Sequence, residues 1–341
     1  MRIDLVEEKF TYDDILIVPQ HTTIGSRTEI STDHIFAGIK VGLPVISAAM
    51  DTVTTFEMAK ALQAKGGLAA FPRESKIEIA RQLAKDKVIT SSFYSIGVNY
   101  KPNELEALDI LSQAGGKQLI NIDIAHGDCA KMEKALDFYS KKYPSFILMA
   151  GNVATPDAAL RLSKAGADIV KAGIGPGAVC STRINTGVGY PQASAIMEVR
   201  KKYDGALVAD GGVNYIGDVC KALAIGADAV MIGRLFAQTS ESAGKIVEIG
   251  GKKFKEYRGM ASPAAKANRN EKDSKRFVEG ESFMVPIEGS VLTVLDNIRD
   301  GLLSAMSYSD SRTIKEFKTK ADLVRISGAT ARENSIRKEL K

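Results

Sequence analysis

Ala165-Gly166-Ala167-Asp168-Ile169-Val170-Lys171-Ala172-Gly173 recurs further along the chain as Ile225-Gly226-Ala227-Asp228-Ala229-Val230-Met231-Ile232-Gly233. Each copy reads as a helix end, a glycine turn and a short apolar run closed by another glycine. Such a run is too short for a helix and is apolar without alternation, as expected of a strand buried on both faces. The same alternation extends from about Leu43 to Gln238. Strands are predicted near Val45-Ser47, Gly67-Ala70, Ser95-Val98, Leu119-Asp123, Phe146-Ala150, Ile169-Ala172, Leu207-Ala209 and Ala229-Ile232. Helices are predicted over Thr54-Lys65, Lys76-Asp86, Pro102-Ala114, Cys129-Lys142, Thr155-Ala165, Tyr190-Lys201 and Tyr215-Ile225. Eight such strands define an α/β chain folded as a (β/α)8 TIM barrel. An open doubly wound sheet is the runner-up, but no early strand-GxGxxG-helix signature supports it.

In such a barrel the loops after the strands carry the chemistry. The sixth strand runs into Gly173-Ile174-Gly175-Pro176-Gly177-Ala178-Val179-Cys180-Ser181-Thr182-Arg183, which delivers one cysteine on a glycine-rich loop. A lone loop thiol needs no role. Here the hydroxyls of Ser181 and Thr182 and the Arg183 cation supply a polar setting suited to a nucleophilic thiolate. Asp210-Gly211-Gly212 and Gly233-Arg234 follow strands seven and eight, where barrels of this kind bind phosphate. Asp210 also reads as a strand-end turn former, the lesser alternative; its place after strand seven points to a ligand.

With 341 residues, 45% of them hydrophobic, the chain buries a large core and reads as one domain over 1–341. Its net charge of +5 suits anionic small ligands, and no aromatic-rich basic repeat points to nucleic acid. Cys129, Cys180 and Cys220 lie far apart without a CxxC spacing, which predicts a reducing, cytoplasmic setting. His21, His34 and His126 have no zinc-ligand spacing, and no apolar run is long enough to span a membrane. The polar, lysine-rich stretch from about 252 to 283 shows no period and predicts a mobile flap after the last barrel strand.

Phe10-Thr11-Tyr12-Asp13-Asp14-Ile15-Leu16, Met50-Asp51-Thr52-Val53-Thr54, Asp123-Ile124-Ala125-His126-Gly127, Ala150-Gly151-Asn152-Val153, Gly173-Ile174-Gly175-Pro176-Gly177, Ala209-Asp210-Gly211-Gly212 and Tyr257-Arg258-Gly259-Met260 closely resemble the IMP dehydrogenase/GMP reductase family. The resemblance runs over nearly the whole chain. It implies a purine-5′-nucleotide oxidoreductase with a nicotinamide cofactor, in which Cys180 forms a covalent thioimidate with purine C2. It further implies Thr182 and Glu279 as a proton relay, and Asp210 as acceptor for the ribose hydroxyls. Ser181, Gly211, Gly212, Gly233 and Arg234 are implied at the 5′-phosphate, and Tyr257, Gly259 and Met260 at the phosphate and base. Asp123, Ala125, His126 and Gly127 are implied beside the nicotinamide, although a packed, non-catalytic His126 is an equal reading. The carbonyls of Gly175, Gly177 and Cys180 are implied as a monovalent-cation site for K+, completed by Glu333-Asn334-Ser335 of a neighbouring subunit in a homotetramer.

Within the family the pattern leans to the reductases, which convert GMP to IMP and ammonia with NADPH. Arg73-Glu74-Ser75 leads through one helix to Ser95-Ile96-Gly97-Val98, which leaves no room for the regulatory CBS modules that dehydrogenases usually insert there. Phe56-Glu57-Met58-Ala59 and Gly187-Val188-Gly189-Tyr190-Pro191-Gln192 resemble reductases, and the short flap lacks an Arg-Tyr-Phe run. Thr313-Ile314-Lys315-Glu316-Phe317 and Val324-Arg325-Ile326-Ser327-Gly328-Ala329 resemble bacterial dehydrogenases instead, and Arg276-Phe277 is readable as a degenerate Arg-Tyr pair. The alternative is therefore a dehydrogenase without CBS modules that oxidises IMP with NAD. A flavin-dependent barrel explains the phosphate glycines but not Cys180; a non-catalytic nucleotide sensor has no need of Thr182 and Glu279.

Overall fold

The computed structural model describes residues 7–73, 77–86, 91–262, 265, 280–327 and 330. Eight parallel strands close into a barrel: β1 (Val45–Ser47), β2 (Leu68–Phe71), β3 (Ser92–Ile96), β4 (Gln118–Asp123), β5 (Phe146–Val153), β6 (Ile169–Ala172), β7 (Ala206–Asp210) and β8 (Ala229–Ile232). β8 pairs with β1, Val230 opposite Val45, which completes the ring. Period-two alternation sorts the side chains: Ile46, Leu68, Ala70, Phe93, Ile169 and Met231 fill the interior, whereas Val45, Ala69, Phe71, Tyr94 and Val170 meet the helices. A hairpin of His34–Phe36 and Ile39–Val41 adds Phe36 and Val41 to the interior cluster.

The outer ring comprises α1 (Phe56–Ala64), α2 (Ile77–Lys85), α3 (Pro102–Gln113), α4 (Ala130–Lys142), α5 (Pro156–Lys164), α6 (Gln192–Arg200), α7 (Ile216–Ala224) and α8 (Val291–Tyr308). Local chemistry starts several of them. Thr55 and Thr155 accept from Met58 N and Ala158 N as N-caps, and Pro102 and Pro156 open their helices where no N–H partner is lost. Only 72–91, including α2, separate β2 from β3, so no module is inserted there.

The repeated Gly-Ala-Asp unit has a mechanical meaning. Gly166 and Gly226 share φ +116°, a conformation closed to most other residues, and turn the chain from helix into strand. Asp168 then accepts from Leu148 N and Asp228 from Leu207 N, each at 2.8 Å, so each copy pins its strand to the preceding one.

The structure corrects the expected featureless flap over 252–283 at its two ends, while 263–264 and 266–279 lie outside the described residues. Lys252–Arg258 is the middle strand of an antiparallel sheet, between Ile246–Ile249 and Ser282–Pro286. The stretch hides its pattern because one inward position is a lysine. Lys255 is buried, and its ammonium donates to the carbonyls of Thr239, Ser240 and Ser242 at 3.0, 2.8 and 2.6 Å, just beyond the short helix Arg234–Ala237. Burial presses the Lys255 pKa downward.

Candidate active site

The cysteine loop is held from several sides. Gln192, at the start of α6, donates to the carbonyls of Ala172 (2.9 Å) and Asp210 (3.2 Å), which joins the ends of β6 and β7. Gly173, at φ +151°, lies so close to β7 that an added Cβ would stand 2.1 Å from the Asp210 carbonyl oxygen. Gly173→Ala is therefore expected to cost about 1–3 kcal/mol, as overpacking does, read as a lowered thermal midpoint with weakened nucleotide binding. An unchanged midpoint would show that the two strand ends are free to separate.

Cys180 N donates to Gly177 O at 3.0 Å, and the half-buried Cys180 thiol donates to Thr182 Oγ1 at 3.2 Å. Across the mouth Cys180 pairs with Gly280 in an antiparallel bridge. Glu281 N donates to Val179 O and Gly259 N to Glu281 O, at 2.9 and 3.0 Å, so the two roots of the flap grip the loop. Glu279, Arg276, Phe277 and Glu333-Asn334-Ser335 lie outside the described residues.

Three compartments meet at this loop. The first, about 430 Å³, is bordered by Ala125, His126, Asn152, Cys180, Thr182 and Val188. The second, about 220 Å³, is bordered by Met50, Cys180, Asp210, Tyr257, Gly259 and Met260. The third, about 30 Å³, is a niche among Gly211, Gly212, Gly233, Arg234 and Tyr257. Gly177 and Gly211 border all three, and Cys180 with Thr182 borders the first two, so the thiol stands at their junction.

Most of the residues named from the sequence thus converge. Ser181 is the exception at the niche: it is buried, and its hydroxyl accepts from Asn185 Nδ2 at 3.1 Å. Gly127 packs beneath the wall, donating its N–H to Asn152 O at 2.7 Å. Tyr257 is buried against Gly233, where an added Cβ would meet its Oη at 2.6 Å. Burial, reinforced by the Asp210 charge, raises the Tyr257 pKa, which keeps its hydroxyl a proton donor at neutral pH. Arg258 pairs with Asp51 at 2.6 Å and Asp51 N donates to Met260 Sδ at 3.4 Å, tying the loop after β1 to the flap root.

Sequence reading assigned no role to Lys171 or Asn152. Lys171 points into the site from β6 with its side chain 2% exposed, donating to Asp123 Oδ1 at 2.9 Å, Asp210 Oδ2 at 2.7 Å and Asn152 Oδ1. The available signal was a lysine inside an otherwise apolar strand. Burial opposes its charge, but Asp123 and Asp210 outweigh burial and raise its pKa; burial likewise opposes ionisation of Asp123, and Lys171 holds that carboxyl below its ordinary value.

Near the implied cation site, Arg183 packs its side chain against Gly175 and Gly189 and donates to Tyr190 O. The Gly177 carbonyl already accepts from Cys180 N. The loop thus carries a cation of its own. Among the described residues no His/Cys/Asp/Glu cluster fits a metal ion, and no helix is long and apolar enough to cross a membrane.

A half-buried cysteine at the mouth of a (β/α)8 barrel, where two compartments and a glycine-lined niche meet, is the arrangement of a barrel enzyme whose chemistry sits on the loops after its strands. The family model described as the IMP dehydrogenase / GMP reductase domain matches residues 9–337. This chain belongs to that family of purine-nucleotide oxidoreductases. It is 37% identical to the GMP reductase of Vibrio atlanticus, the match spanning 96% of this chain and 97% of the relative. It is 33% identical to the inosine-5′-monophosphate dehydrogenase of Borreliella burgdorferi, with 97% of each covered. The crystal structure of a Trypanosoma brucei GMP reductase variant in complex with guanosine 5′-monophosphate shares the fold, with a TM-score of 0.90 at 23% identity over 99% of both chains.

Proposed function

We propose that this chain is a GMP reductase that converts GMP to IMP and ammonia with NADPH. The carrying observation is the Cys180–Thr182 pair, at 3.2 Å, standing where a larger and a smaller compartment meet. Nucleotide fits the smaller one: phosphate in the niche of Gly211, Gly212, Gly233 and Arg234, ribose on Asp210, base beside Tyr257, Gly259 and Met260. The larger compartment takes the dinucleotide, its nicotinamide near Asp123, Ala125, His126 and Gly127. The Cys180 thiolate adds to purine C2; the C2–N bond breaks and protonated ammonia leaves, giving the thioimidate. Hydride from the reduced nicotinamide then adds to C2, and the C–S bond breaks to release IMP and thiolate. GMP, NADPH and two protons thus balance IMP, ammonium and NADP+. Thr182 and Glu279 relay the proton to the departing amine.

Ammonia release in an assay with GMP and NADPH is the direct test. The second reading, oxidation of IMP with NAD by a dehydrogenase without CBS modules, is favoured by the full-length match to the Borreliella burgdorferi relative. Turnover of IMP with NAD, and none of GMP with NADPH, would establish it instead.

Asp210→Asn is expected to weaken nucleotide binding by about 10- to 150-fold, the equivalent of roughly 1.5–3 kcal/mol for a hydrogen bond to a charged acceptor. The variant should also lose the wild-type preference for GMP over a 2′,3′-dideoxy analogue. Equal calorimetric affinities in wild type and variant would leave Asp210 as a turn residue only.

The proposal extends to a single catalytic domain over 1–341, a cytoplasmic location and a homotetramer. The exposed strand residues Ile246, Val247 and Ile249 support assembly. The carbonyls of Gly175, Gly177 and Cys180 remain the proposed contacts for K+, and no step above is routed through it.

A further inference from the structure

We propose that Lys171 is a positioning residue whose ammonium, shared between Asp210 and Asp123, aims one free carboxylate oxygen into the nucleotide compartment and one toward the dinucleotide compartment. The inference rests on the reading of Asp210 as the ribose acceptor. An ammonium has three donors, and all three are used here: Asp123 Oδ1, Asp210 Oδ2 and Asn152 Oδ1. Asn152 in turn donates through Nδ2 to Asp210 Oδ2 at 2.9 Å and to Gly173 O at 2.8 Å. Oδ2 of Asp210 is therefore saturated by two donors, while no described residue donates to its Oδ1. Asp123 likewise spends Oδ1 on Lys171 and has no described donor at Oδ2.

The side chains of Asp123 and Asp210 are 23% and 22% exposed, so the contact with Lys171 seals off neither carboxylate. Asp210 borders both large compartments, and Asp123 ends β4, two and three residues before Ala125 and His126, which border the larger. Lys171 holds the two acceptors at a fixed separation and compensates their charge. Without it the two carboxylates lose the cation they share, Arg73 remaining to act on Asp123, and Asp210 loses one of the two donors that orient it.

The test is calorimetric titration of GMP, and of its 2′,3′-dideoxy analogue, into the full chain as wild type, K171M and K171M/D123N. Methionine keeps the unbranched bulk and removes the charge together with its three donors. K171M is expected to weaken GMP binding about tenfold or more, the scale of a lost charge-assisted hydrogen bond, and to erase most of the preference for GMP over the analogue. K171M/D123N should recover part of the affinity, because it removes the uncompensated second carboxylate. A purely structural lysine would lower both affinities equally and leave the preference intact, and that result overturns the proposal. So does wild-type affinity in K171M. If K171M does not fold, the charge-balanced double variant is read in its place against wild type, and failure of both to fold assigns Lys171 to stability alone. A wild type that itself shows no preference between GMP and the analogue overturns the underlying reading of Asp210, a failure visible before any variant is made.

Discussion

Cys180→Ala is expected to leave a folded, nucleotide-binding protein with no measurable turnover. The loop around Cys180 is organised by backbone contacts that alanine keeps: Cys180 N to Gly177 O, the bridge to Gly280, and the Glu281 N–H on Val179 O. What the substitution removes is one weak bond to the Thr182 hydroxyl and the sulfur proposed to attack C2. Thermal denaturation should therefore barely change while ammonia release vanishes. Cys129→Ala and Cys220→Ala serve as controls. Cys220 is buried on α7, and burial pushes its thiol up to about 12, so it is protonated and inert at neutral pH. Substantial turnover in the Cys180 variant would remove the thioimidate route. Equal inactivation of all three would mean that stability, not chemistry, was being read.

Glu279→Gln is expected to lower GMP reduction by about 10²–10⁴-fold, the usual range for general acid–base catalysis, with GMP affinity little changed. Glutamine matches glutamate in size and polarity but supplies no proton, and the exocyclic amine at C2 leaves poorly unless protonated. In the sequence Glu279 directly precedes Gly280, the residue that pairs with Cys180. Arg276→Ala should be much milder, since the reductive reaction activates no water. The opposite pattern, in which Arg276→Ala cripples the oxidation of IMP with NAD and GMP yields no ammonia, would identify the dehydrogenase reaction.

The barrel was legible because burial on two faces forces its strands into short apolar runs and the crossover helices into amphipathic ones. Val45–Ser47, Ile169–Ala172 and Ala229–Ile232 fall where the sequence places them, and the other five strands are found within a few residues. Legibility failed where polar groups were paired out of sight. Lys252–Arg258 reads as flap because the ammonium of Lys255, on its inward face, donates to the carbonyls of Thr239, Ser240 and Ser242, outside its own stretch of chain. The helix α8 was not assigned at all. It completes the eighth barrel unit only after the three-stranded sheet that intervenes, and the expected order of strand followed at once by helix is broken there.

For the candidate site the division is similar. Local patterning by itself determined the eight-strand barrel, the loop that carries Cys180, and the glycines after β7 and β8, because each depends on turn chemistry and hydrophobic period within one segment. Tertiary structure alone decided that Cys180 stands between two compartments, that Gly280 closes on it from the flap root, and that Lys171 joins Asp123 to Asp210. These contacts link residues on different strands, and their energies come from charge and hydrogen-bond pairing at a few ångströms. Nothing in the order of residues along the chain sets that separation; the closure of the barrel does.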